Sequence, residues 1–205
     1  MSLNFNIVWL AGSLLFGFTL SSDSQTPVFD QLKERFEEGE IFVAEFEHEY
    51  LDGYTGEVTE AGGSIWIAKG TYRVQSEDQV MVVDGDVSRV YDQIRNRLLI
   101  SEYIEEEDDF APSRMLQGVD ESYSIEENSN SGNTRVTLES DDPFVIFDRV
   151  QIRLNGNGIP EVIEAVDQAD NRLTTRFREG AFRDFDPSLF EIDVPENAER
   201  IDLRH

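Results

Sequence analysis

Residues 42–50 read Phe-Val-Ala-Glu-Phe-Glu-His-Glu-Tyr, and this stretch decides the fold. Phe42, Ala44, Phe46, His48 and Tyr50 fall on one side of a two-residue period; Glu45, Glu47 and Glu49 fall on the other. Only a β-strand sends alternate residues to opposite faces, so the stretch predicts a strand with an aromatic inner face and a hydrated, acidic outer one. On its N-terminal side the period changes. Thr26 and Pro27 supply an N-cap and a first-turn proline, and Val28, Phe29, Leu32 and Phe36 recur at helical spacing until Gly39 stops the run. That pattern predicts an amphipathic helix over 27–38.

On the C-terminal side the two-residue period persists. Segments 57–68, 72–76, 79–83, 87–91 and 96–103 read as successive strands, with Gly53, Gly56 and the pair Asp84-Gly85 at the turns. After an acidic loop (105–109) and a short helix candidate (111–117), strands resume at 121–127, 134–140, 145–154, 159–167 and 172–178, and Asn155-Gly156-Asn157-Gly158 marks a hairpin. Asp186-Pro187 opens a last helical turn, 190–194 reads as a closing strand, and the tail from Pro195 is polar. So many antiparallel strands must curl, close or stack to hide their apolar face, and only two or three helices are available as cover. The expected fold is mainly β, an incompletely closed antiparallel β-barrel (a half-barrel of about eleven strands) with helices over its opening. No internal repeat or linker divides it, so 25–205 reads as a single domain.

Composition narrows the function. The 43 acidic residues against 17 Lys and Arg give a net charge of -26. Phosphate recognition needs a basic footprint, so nucleic acid is excluded as a partner, and direct docking on an anionic membrane is disfavoured for the same reason. The acids are spread along the chain, which suits a surface adapted to strong brine better than one reserved for a cationic partner. There is no cysteine, hence no disulfide, no thiolate metal site, no cysteine nucleophile and no N-terminal cysteine to be lipidated. Residues 7–20 (IVWLAGSLLFGFTL) form an apolar run of signal-peptide length, and Ser22 and Ser24 supply small residues for cleavage after Ser24. Residues 1–24 are therefore expected to be a signal peptide and the protein to be exported; an uncleaved anchor is the competing account.

Catalytic signatures are missing. Of the two histidines, His205 is terminal and His48 sits mid-strand between glutamates. A hydrogen-bonded histidine at the barrel wall is the expected role of His48, since no G-x-S-x-G elbow accompanies it. There is no phosphate loop and no dinucleotide fingerprint, and 105–109 lacks the alternating acid spacing of a calcium loop. No enzymatic activity, metal or cofactor is expected.

Four segments, taken in order, resemble the LolA family of periplasmic outer-membrane lipoprotein carriers. They are Phe42-x-Ala44-x-Phe46 after the first helix, the run from Gly63 through Trp66, Lys69 and Tyr72-Arg73-Val74, the hairpin Val80 to Gly85 followed by Val90-Tyr91-Asp92, and the closing segment from Phe182 to Pro195. Where many members of that family have Arg-Pro, this chain has Lys69-Gly70. The resemblance implies a half-open barrel in the periplasm that binds the acyl chains of lipoproteins. It implies as partners acylated lipoproteins, an inner-membrane ABC-type exporter and an outer-membrane receptor, with the cysteine-free chain as the soluble, monomeric carrier. Phe42, Phe46, Trp66, Tyr72 and Tyr91 are the candidate inward aromatics for an acyl groove, Met115 and Leu116 are candidates on its lid, and Lys69 and Arg73 are candidates for lid opening and transfer. Ordinary core packing is the competing account of the seven groove and lid residues. A binder of free lipid or another hydrophobic ligand, or a non-catalytic envelope sensor on the same fold, are the alternatives in function.

Overall fold

The computed structural model describes residues 25–105, 108 and 110–204. The expected leader (1–24) lies outside the described residues. Helix α1 (Pro27–Glu37) is followed by six strands: β1 (Glu40–Leu51), β2 (Val58–Ala68), β3 (Thr71–Gln75), β4 (Gln79–Asp84), β5 (Val87–Asp92) and β6 (Arg97–Glu102). A short helix, α2 (Ala111–Arg114), continues as a 3-10 turn (Met115–Gln117). Strands β7 (Ser124–Asn130), β8 (Asn133–Glu139), β9 (Phe147–Leu154), β10 (Pro160–Asp167) and β11 (Arg172–Asp184) follow, then a 3-10 turn (Pro187–Phe190) and β12 (Glu199–Asp202).

All twelve strands form one sheet in the order β12-β6-β5-β4-β3-β2-β1-β11-β10-β9-β8-β7. The outermost strands β12 and β7 do not pair with each other, so the sheet curls without closing. The deciding stretch lies at its centre, where β1 pairs with β2 on one side and β11 on the other. Its alternation is realised as read: Phe42, Ala44, Phe46 and His48 are buried, while Glu45 and Glu47 are exposed. Along β11, Glu179 and Gly180 together oppose Ala44, because Val43 pairs with Ala181 and Glu45 with Arg178. This bulge, with Glu179 at φ 55, reverses the alternation. Phe177 and Phe182, five apart in sequence, consequently face the same side, opposite Phe46 and Phe42.

Three elements differ from expectation. The predicted gap between the seventh and eighth strands is a two-residue hairpin, Ser131 (φ 52) and Gly132 (φ 85), whose paired positive dihedrals match the right-handed twist of the strands. The predicted closing strand at 190–194 joins no ladder. Its alternation is real, since Phe190, Ile192 and Val194 are half-buried and Glu191 and Asp193 exposed. The segment instead lies as a strap beside Leu98 and Ile100 on the outer face of β6. The polar tail carries β12, which runs parallel to β6 and, among the described residues, is the one departure from an antiparallel sheet.

The apolar residues separate by face. The main core lies on the concave side and joins Phe42, Ala44, Phe46, Ile65, Ile67, Tyr72 and Val74 of the sheet's first half to Val136, Leu138, Val150, Ile152, Ile163 and Phe177 of its second, with Phe29, Leu32 and Phe36 of α1 pressed into it. Val80, Val82, Tyr91 and Leu98 are buried on the opposite face, outside that core.

Candidate functional site

The concave face is covered by two short elements, each tied down at its rim by polar bonds. Helix α1 buries Phe29, Leu32 and Phe36. Thr26 occupies its N-cap position but makes no side-chain cap bond. The carboxylate of Glu127, on the inner side of edge strand β7, takes that role by accepting from the Val28 and Phe29 N–H groups at 3.0 Å. The first-turn amides of a helix have no internal partner and favour negative charge, so an edge strand holds the start of the cover. At the helix's other end Lys69, in the β2–β3 turn, pairs with Glu37. The Arg35 guanidinium lies 3.9 Å over the Phe182 ring, which meets Phe36 edge-on at 5.3 Å.

The second cover is formed by residues 110–118, with Tyr103 and Asp108 at its start. Ala111, Met115 and Leu116 are buried and belong to the main core. Asp108 fastens it: its carboxylate accepts from the Tyr72 hydroxyl at 2.5 Å, the Tyr103 hydroxyl at 2.7 Å and the Phe110 N–H at 2.9 Å. Burial, and then the Asp108 carboxylate, push both phenols well above their ordinary range, so both stay protonated and donate. The Gly70 N–H donates to Gln117 Oε1 at 3.0 Å, and Arg114 lies 4.9 Å over the Tyr103 ring. Phe110 meets Phe46 edge-on at 5.1 Å and lies 4.8 Å over His48.

His48 is 5% exposed, and its Nδ1 lies 2.9 Å from Thr175 Oγ1 on β11. This is the hydrogen-bonded wall position expected of it. Burial pushes its pKa down to about 4, against the opposing pull of Asp108 and Glu49, so the ring is neutral near pH 7. A cleft of about 490 Å³ opens beside the 3-10 turn between Met115, Val119, Tyr123 and Phe147, and Phe144 stands 93% exposed at its rim.

The sequence candidates divide between the two faces. Phe42, Phe46, Tyr72, Met115 and Leu116 meet in the concave core. Trp66 does not: Ile65 and Ile67 take the inward positions of β2, and Trp66 looks outward beneath the Arg73 guanidinium at 4.8 Å. Tyr91 is also outward, paired with Val80 and Leu98, and its hydroxyl donates to Asn96 at 2.8 Å. Arg73 is on that outer face too, donating to the Leu189 carbonyl of the strap at 2.9 Å, so it lies across the sheet from α2. Asp108, Phe110, Tyr103, Thr175 and Glu127 were not among the sequence candidates. The position of Asp108 three residues before the helix start at Ala111 was the available signal, masked by four neighbouring acids.

An apolar concave face packed under two short covering elements suits an apolar guest, and the family match is of that kind. The sequence profile of the family described as outer membrane lipoprotein carrier protein LolA matches residues 38–193. The chain belongs to the LolA family. The matched region begins at the end of α1 and takes in the concave sheet, α2 and the strap. The chain is 25% identical over 191 residues to an outer-membrane lipoprotein carrier protein of Chromohalobacter salexigens, covering 89% of this chain and 90% of that protein. Among solved structures it is similar to an uncharacterized conserved protein from Thermus thermophilus, with a TM-score of 0.52 at 12% identity, covering 84% of this chain and 98% of the other. That likeness supports the fold. LolA membership supports a lipoprotein-binding role.

Proposed function

We propose that this chain is a non-catalytic periplasmic carrier that takes the acyl chains of lipoproteins onto its concave face and ferries them from the inner to the outer membrane. The observation that carries the reading is a concave face whose core is apolar and covered by elements whose polar bonds are gathered at the rim. In this reading 1–24 is a cleaved signal peptide, 25–205 is the binding domain, and the exchange partners are an inner-membrane ABC-type exporter and an outer-membrane receptor. Phe42, Phe46, Tyr72, Met115 and Leu116 contact the acyl chain, while Lys69, whose partner Glu37 ends α1, acts in opening. The cleft beside Met115 and Phe147 is the entrance.

Reversibility follows from the same geometry. An acyl chain gains about 0.8 kcal/mol per buried methylene, which alone would make release slow. Here the groove is already filled by the cover's own side chains, and a guest displaces Phe110, Met115 and Leu116, each worth about 1.5–3 kcal/mol of burial. The net affinity is the difference, which leaves the guest transferable. The test is recovery of tagged protein from its native envelope, with the bound material read by mass spectrometry. Acylated lipoproteins are the expected cargo. Free lipids alone would replace the cargo, and a stoichiometric protein partner without any lipid would overturn the carrier reading.

A further inference from the structure

Two polar atoms under the cover have no partner among the described residues. One is His48 Nε2 and the other is Ser113 Oγ, on residues 5% and 2% exposed. A third such atom, Arg73 Nε, belongs to the outer face. Buried polar atoms are normally bonded, and the rest of this core obeys the rule: Thr134 is matched to Ser129 at 2.9 Å and Thr175 to His48. His48 lies on β1 and Ser113 on the cover, and Phe110 touches both residues. Phe110 lies on the His48 ring, and the Ser113 N–H donates to the Phe110 carbonyl at 2.8 Å. Both atoms are neutral at ordinary pH, since burial holds the imidazole uncharged. The 2.9 Å pair between Nδ1 and Thr175 Oγ1 admits either direction; in the tautomer in which the Thr175 hydroxyl donates, the ring proton sits on Nε2 and the histidine offers one donor into the apolar groove.

We propose that His48, oriented by Thr175, forms a polar subsite whose Nε2–H donates to the carbonyl oxygen of an ester- or amide-linked acyl group when Phe110 swings away. This inference rests on the carrier reading and deepens it by naming the linkage the groove selects. A neutral donor among apolar walls suits a neutral carbonyl. A carboxylate would lose its hydration there and meet the charges of Asp108 and Glu49, both of which act on His48. The site therefore prefers acyl groups still attached to a glycerol or amine over free fatty acids of the same length.

The test is displacement of a fluorescent pyrene-labelled alkane from the purified protein by 1-decanoylglycerol and by decanoate, at about pH 8, where the acid is ionised. The ester is expected to displace the probe at about tenfold lower concentration than the acid. His48→Phe should weaken the ester by about five- to tenfold while leaving the hydrocarbon probe and decanoate unchanged, and Thr175→Val, which frees the ring tautomer, should weaken it by a smaller factor. Equal displacement by ester and acid, with no effect of His48→Phe, overturns the subsite and leaves the carrier intact. If His48→Phe also loses the probe, Thr175→Val decides: unchanged ester affinity overturns the subsite. Wild-type protein that binds no probe overturns the carrier reading, and the subsite falls with it.

Discussion

Substituting Tyr72 by Phe should loosen the second cover and leave the sheet alone. The Tyr72 ring is 1% exposed and packs in the concave core, so a phenylalanine fills the same space and only the hydroxyl is lost. That hydroxyl donates to a carboxylate, and bonds to charged groups contribute about 1.5–3 kcal/mol each. The bond exists only while Asp108 is seated, so its loss falls on the closing equilibrium of the cover. At about 1.4 kcal/mol per factor of ten, the open fraction should rise roughly 10- to 100-fold. Tyr103→Phe should do the same, and because both phenols share Asp108 Oδ2 the double substitution should fall short of the sum. Amide hydrogen exchange reads this directly. The Ser113 and Gly118 amides, bonded to Phe110 and Met115 carbonyls within the cover, should exchange faster by that factor while the β1–β11 ladder keeps its protection. Unchanged exchange at Ser113 and Gly118 would refute the reasoning, and so would equal acceleration across β1 and β11, which would make the bond a determinant of global stability.

Three further outcomes follow from the charges. His48 has its folded pKa depressed to about 4, so the unfolded chain binds the extra proton first; its contribution is whole above the unfolded value near 6.5 and is lost as pH falls toward 4. Urea unfolding should show up to about 3 kcal/mol of acid-dependent loss in wild type that His48→Phe lacks, and parallel pH profiles would refute it. Glu127→Ala should cost about 1 kcal/mol and raise exchange at Val28 and Phe29, the amides its carboxylate accepts from; unchanged protection there would show that α1 needs no tie to β7. A net charge of -26 should make the melting temperature climb between roughly 0.05 M and 2 M salt, and full stability at the lower concentration would sink the reading of the surface as adapted to brine.

Much of the fold was legible because its signals are local. The alternation at 42–50 fixed the face of β1, and Asp84-Gly85 and the Asn-Gly run at 155–158 fixed two hairpins. Apart from the Ser131-Gly132 hairpin, the elements misread are those decided by distant partners. Residues 190–194 alternate as a strand does, yet the edge of β6 is taken by Glu199–Asp202, and the earlier run is left to cover the outer face with its alternate apolar side chains. Thr26 has the chemistry of an N-cap, but the carboxylate of Glu127, far along the chain, reaches the same amides with a full charge.

The candidate site was half legible for a related reason. An aromatic residue in a strand announces burial without saying on which face, and this sheet buries apolar residues on both. Trp66 reads as a groove residue because it is an aromatic within a strand, but its neighbours Ile65 and Ile67 pair with Ala44 and Phe42, and that register sends Trp66 outward to Arg73. Tyr91 follows from the same register, carried through Val80 and Gln75 back to Ser64. Knowing that Phe42 faces in is thus enough to place residues four strands away, provided that the pairing is known; the Glu179–Gly180 bulge shows why counting alone fails, since a single extra residue moves Phe182 onto the face of Phe177. The site's polar members were harder to find because each draws its meaning from a partner far along the chain. Asp108 is one acid among forty-three until Tyr72 reaches it, and His48 is a wall histidine until the cover above it proves to carry a second unmatched atom.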